Sequence, residues 1–157
     1  MMEIETAFPP ASEANIQQLQ PFFKGLLLPV EYRNFLMQHN GCTVLMFNQR
    51  RPKGWPLRFL SVSDVIKDSP MIEDLYYNNG EPQAPDSFPH VPIATDDNSN
   101  YLAYELRRPQ RNSFQICLVD REDYPFADDE EDITLFKRAE NLEDLIDQLQ
   151  RGVFASF

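Results

Sequence analysis

The segment TDDNSNYLAYEL, residues 95–106, sets Asp96, Asn98 and Asn100 at alternate positions, the spacing at which oxygen ligands open an EF-hand calcium loop. Such a loop needs glycine at its sixth position and a bidentate glutamate at its twelfth. Here those positions hold Tyr101 and Arg107, so a cation would meet a positive charge and a β-turn is the better reading. Zinc needs close ligand pairs. His39 and Cys42 form the one close pair, and they straddle a helix end, which reads as a helix-face histidine and a buried thiol. The chain has no G-x-S-x-G elbow, no glycine-rich phosphate loop and no H-E-x-x-H pair. Paired carboxylates at Asp96-Asp97 and from Asp128 to Asp132 fall in polar segments, whereas a catalytic acid needs an apolar pocket to raise its pKa. The basic clusters Arg50-Arg51-Lys53, near Phe47 and Trp55, and Arg107-Arg108-Arg111 suggest phosphate contact. Against a net charge of −11 they read as solvated hairpin tips. No catalytic residue, metal or cofactor is expected.

The elements that carry these residues follow from periodicity. Ser12 caps a short helix with Ile16 and Leu19 on one face, and Pro21 ends or kinks it for want of an N–H. Pro29 suits the first position of a second helix, on which Tyr32, Phe35, Leu36 and His39 recur at i, i+3, i+4 and i+7. Asn40-Gly41 stops it. TVLMFN (43–48) and LRFLS (57–61) read as strands around a basic loop, NQRRPKGW. Ser61 or Ser63 caps a helix through VIKDS, which Pro70 is expected to interrupt before MIEDLYYNN resumes. Residues 78–89 are loop, dense in Asn, Gly and Pro.

The second half reads as a meander of HVPIA (90–94), YLAYEL (101–106) and SFQICLV (113–119). Leu102, Tyr104 and Leu106 fall on one face of their strand, and Phe114, Ile116 and Leu118 on one face of the next. An acidic loop, REDYPFADDEED, precedes a short ITLF strand. The last helix is capped by Asn141, has Asp144 at the capping-box position, and carries the stripe Leu142, Leu145, Ile146 and Leu149. The expectation is an α+β fold: a mainly antiparallel sheet, with helices at the N-terminus, in the middle and at the C-terminus packed against it. Residues 1–157 are expected to form a single domain.

Bulk properties narrow the function classes. Apolar residues make up 42% of the chain and aromatics 12%, a composition that folds rather than stays disordered. No run approaches the roughly 18 apolar residues of a membrane span. The opening MMEIETAFPPASE lacks the basic and apolar segments of a secretory leader, so a cytoplasmic location is expected. Cys42 and Cys117 read as buried thiols rather than a disulfide. Twenty-five acids against fourteen bases disfavour direct nucleic-acid binding, which relies on Lys and Arg, and suit a basic protein partner.

The helix LLLPVEYRNFLMQHNGC then acquires a second meaning. Leu28-Pro29, Tyr32, Phe35, Leu36 and Asn40-Gly41 resemble the "LP, aromatic, NG" signature of SUKH-superfamily domains. Pro92-Ile93-Ala94 with Asp96 and Asn100 resembles the family's entry to a central strand, Tyr101 to Leu106 the strand that follows, and Val119-Asp120 with Glu122 the later strand exit. The helix from Leu142 to Leu149 resembles its terminal helix. Ser99 stands where the family usually has glycine, Arg121 where it has histidine, and Leu142 and Leu145 where it has aromatics, so the resemblance is to a divergent member.

The resemblance implies an α+β sandwich-like domain. For most bacterial members it implies neutralisation of a toxin, often a nuclease, by direct contact without catalysis; the family also includes a fungal cell-wall-synthesis regulator. The expected partner is a basic protein toxin with a nuclease domain, with no nucleic acid or membrane bound directly. A regulatory scaffold of the same fold without a toxin is the alternative. The expected partner-binding residues are Asp120, Glu122, Asp123 and the loop Asp128, Asp129, Glu130, Glu131 and Asp132, which would steer the encounter. Trp55, Tyr76 and Tyr77 would serve as aromatic anchors.

Overall fold

The computed structural model describes residues 2–6, 8–23, 26–48, 51–73, 90–96, 100–106, 115–119 and 138–151. Its strands form one seven-stranded antiparallel sheet in chain order: β1 (Met2–Thr6), β2 (Cys42–Asn48), β3 (Arg51–Phe59), β4 (His90–Thr95), β5 (Tyr101–Glu105), β6 (Ile116–Val119) and β7 (Arg138–Ala139). The helices are α1 (Glu13–Gln17), a 3-10 turn (Gln20–Phe23), α2 (Val30–Gln38), α3 (Val62–Glu73) and α4 (Leu142–Gln150). The α+β class and the antiparallel sheet agree with the periodicity of the sequence.

One face of the sheet carries the main core. Val44, Leu57, Phe59, Val91, Leu102, Tyr104, Ile116 and Leu118 meet Ile16, Phe23, Tyr32, Leu36, Val65, Leu142, Leu145 and Leu149 from the helices in a single cluster. Alternation predicts this face well. It does not predict the other one, because Ala103 and Glu105 on β5, Cys117 on β6 and His90 and Thr95 on β4 are buried as well. The central strands are therefore covered on both sides, which is why β4 reads as a near-continuous apolar run rather than a strict alternation.

Local chemistry sets the helix ends. The Ser12 side chain accepts from the Asn15 N–H, and the Asn15 side chain accepts in return from the Ser12 N–H, a reciprocal capping box. Pro21 does not end the helical path outright, since α1 gives way to the tighter 3-10 turn that contains it. Pro29 is the N-cap of α2 rather than its first helical residue. Gly41 has φ +79°, the left-handed conformation that glycine adopts without strain.

Two readings of the sequence need correction, and one strand was not read at all. MEIET, to which the sequence reading assigned no element, pairs with β2 as β1. The segment read as a basic loop is mostly strand, because β3 begins at Arg51 and pairs with β2 from Asn48↔Arg51 to Cys42↔Phe59 across a bulge. Pro70 does not interrupt α3, which runs through it to Glu73. It lies in the helix interior, where its missing N–H forfeits the bond to the Ile66 carbonyl and its ring crowds that oxygen, and it is exposed. The last strand pair is made by Arg138–Ala139 against β6, while the expected ITLF strand lies outside the described residues.

Candidate functional site

The residues of the two strongest sequence signatures are engaged inside the fold, and their bonds can be followed one by one. Glu31, in the first turn of α2, accepts with Oε1 from the Tyr104 hydroxyl on β5 at 3.2 Å. With Oε2 it accepts from the Leu142 N–H at the start of α4 at 3.0 Å. That amide is one of the first-turn donors that an α-helix cannot satisfy itself, and a carboxylate there also suits the helix dipole. One side chain thus ties α2 to the centre of the sheet and to α4.

Tyr32, beside it, is buried with its ring 5.4 Å from that of Tyr104 in an edge-on arrangement and 6.5 Å from Phe23. Its hydroxyl finds no hydrogen-bond partner among the described residues. Burial pushes the Tyr32 phenol above its usual range. Burial does the same to Tyr104, reinforced by the Glu31 carboxylate beside it.

Asn40 joins a second set of elements. Its Oδ1 accepts from the Val62 N–H at 3.0 Å, satisfying the N-terminus of α3, and its Nδ2 donates to the Pro9 carbonyl at 3.2 Å. Ser61 and Asp64 complete that terminus: the Ser61 hydroxyl accepts from the Asp64 N–H, and Asp64 Oδ2 accepts from the Ser61 N–H. Gly41 must be glycine for space as well as conformation, since a Cβ would stand 2.9 Å from both Phe8 Cδ2 and Ser61 Cβ.

The acid-and-asparagine turn is equally local. Asp96 Oδ2 accepts from Asn100 Nδ2 at 3.0 Å, Asp96 Oδ1 accepts from the Asn100 N–H at 3.3 Å, and the Thr95 hydroxyl donates to the Asn100 carbonyl at 3.0 Å. Asp96 and Asn100, two of the residues that suggested a calcium loop, close the β4–β5 connection, while Asn98 lies outside the described residues.

The other chemical candidates are His39 and the two thiols. His39 lies with its ring 5.5 Å from that of Phe35. Cys42 and Cys117 are buried thiols outside any disulfide, and burial raises Cys42 to about 11, away from the thiolate that a nucleophile or metal ligand requires. Sequence reading did not pair His90 with Glu105; both are buried and directly opposite each other across β4 and β5. Only the register, not the pattern of either strand, brings them together. With Cys117 they share the sheet face turned away from the main core, yet no three His, Cys, Asp or Glu side chains among the described residues are placed to hold a metal ion.

Of the expected partner-binding residues, Trp55 lies on β3 opposite Met46. Asp120, Glu122, Asp123, Asp128, Asp129, Glu130, Glu131, Asp132, Tyr76 and Tyr77 lie outside the described residues. A surface that the sequence did not announce runs along the outer side of α2, where Leu27, Val30 and Met37 are exposed apolar residues. No helix among the described residues is long and apolar enough to cross a membrane.

A helix-flanked antiparallel sheet whose signature residues serve as stitches between elements defines a small α+β module of the SUKH type. The chain belongs to the SMI1 / KNR4 family (SUKH-1), whose model matches residues 10–148. No curated protein matches it in sequence. The matched span begins after β1 and takes in the bonds described above, from the Ser12 capping box to the Glu31 contact with α4, apart from the Pro9 carbonyl that Asn40 reaches.

Proposed function

We propose that this chain is an immunity-type binding module, a single cytoplasmic domain that neutralises a basic, nuclease-type toxin by occupying its surface, with no bond made or broken. The observation that supports the reading is that the signature residues Asn40, Asp96 and Asn100, and Glu31 next to Tyr32, all bond within the fold. What remains for function in such a molecule is its surface, and that surface carries an excess of acids within a net charge of −11. A nuclease must be basic to hold its substrate, so an acidic binder gains a steered, salt-sensitive association and can fill the same groove. Asp120, Glu122, Asp123 and the loop from Asp128 to Asp132 are proposed as the steering surface, with Trp55, Tyr76 and Tyr77 as anchors.

The test uses the product of the neighbouring gene and its nuclease activity. Reversing Asp128, Asp129 and Glu130 to lysine is expected to slow association about tenfold or more at low salt, with a smaller effect at high salt. Protection of the nuclease's substrate should fall in parallel. Unchanged association kinetics at low salt remove the loop from the interface. Absence of any binding to a basic partner favours the regulatory scaffold of the same fold.

A further inference from the structure

β1 is the outermost strand of the sheet and is bonded to β2 alone. In an antiparallel pair, alternate residues turn both main-chain groups toward the neighbour and the others turn theirs away. About half of the β1 peptide groups therefore face outward, with no strand partner among the described residues. Proteins usually blunt such an edge with lysine, proline, a bulge or a covering segment. MEIET has neither Lys nor Pro, and its register runs from Met2↔Met46 to Thr6↔Cys42 without a shift. Prolines appear only afterwards, at Pro9 and Pro10. Apolar surface accompanies the edge: Ile4 is 42% exposed, and Phe8, lying against Gly41, is 48% exposed.

Charge decides what can pair there. A second copy laid antiparallel and centred on Ile4 would set Glu3 against Glu5 twice, and like charges directly opposite destabilise a strand pair. The −11 on each molecule adds to the repulsion. A basic strand turns the same two positions into attractive pairs. We propose that β1 is an edge-docking site for an extended segment of a basic partner protein, which adds as an antiparallel strand with Lys or Arg at the register positions of Glu3 and Glu5 and an apolar residue at that of Ile4. Main-chain bonds supply the affinity and the alternating side chains the selectivity. The proposal does not depend on the acidic loop.

The probe is a blocked heptapeptide alternating Lys with Val and Thr, titrated at low salt into the full chain, with amide exchange followed along the protein. Two further peptides carry N-methyl groups on alternate residues, one in each phase. Binding should protect the outward-facing amides among residues 2–6, and one methylated phase should bind about tenfold more weakly than the parent while the other binds nearly as well. Glu5→Lys, an exposed substitution that leaves the core untouched, should weaken the parent peptide about threefold or more. Equal binding of both methylated peptides and the parent overturns the proposal, because attraction by charge alone would give that result. Protection confined to residues 120–132 overturns it in favour of the acidic loop. Protection of residues 2–6 that rises with protein concentration in the absence of peptide overturns the choice of a basic partner in favour of a second copy.

Discussion

Tyr32 and Tyr104 sit edge to ring in the same core and differ in one bond. The Tyr104 hydroxyl donates to Glu31, whereas that of Tyr32 has no partner among the described residues. A buried polar group without a partner keeps its desolvation cost, about 1–3 kcal/mol. Tyr32→Phe is therefore expected to leave stability unchanged or raise it by up to about 2 kcal/mol, while Tyr104→Phe lowers it by about 1–2 kcal/mol. Denaturant unfolding of the two variants checks the pair, and equal losses would show that the environments do not differ. Glu31→Ala strands both Tyr104 and the first-turn amide of α4, with an expected loss of about 2–4 kcal/mol; Glu31→Gln, which keeps an acceptor, should recover part of it. The sequence shows that Tyr32 belongs to the core, through its helical spacing. It does not show the role of Glu31, because its partners lie 73 and 111 residues away and no local period encodes them.

Among the elements, those closed by nearby residues were the legible ones. The capping of α1 by Ser12 and of α4 by Asn141 rests on contacts three residues long. Asp144 departs slightly from the expected box, accepting from the Glu140 N–H one residue before the cap. What local pattern could not give was pairing. β1 becomes a strand because β2 offers it an edge, and Arg51–Trp55 extends β3 because the facing residues of β2 hold it in register. Pro70 belongs to the same lesson, for α3 is held at its N-terminus by Asn40 and Ser61 and in the core by Val62 and Val65, enough to outweigh one missing bond. That tolerance has a measurable cost. Pro70→Ala should stabilise the protein by about 1–2 kcal/mol, the helix gain less the added freedom of the unfolded chain, with no change in the far-ultraviolet spectrum. A destabilised variant would mean that the proline ring itself contributes packing.

Across the whole molecule, the buried acids set how stability responds to alkali. Cys42 shifts from 9.0 to about 11, and Tyr32 and Tyr104 are raised above the usual phenol range, all chiefly by burial. Each group holds its proton more tightly folded than unfolded. Stability is therefore complete below about pH 9 and declines as pH rises, first through the thiol's window up to about 11. Unfolding free energies measured from pH 8 to 11 should fall, and Cys42→Ala should flatten that stretch of the curve relative to its own value at pH 8. A parallel decline in the variant would move the effect elsewhere. The bond from Glu31 to Leu142 has one more implication, concerning synthesis. An early side chain waits for an amide made 111 residues later, so a nascent chain halted before α4 leaves Glu31 without that partner beneath an unfinished core. Such a molecule would be a better substrate for proteases than its nearly complete sheet suggests.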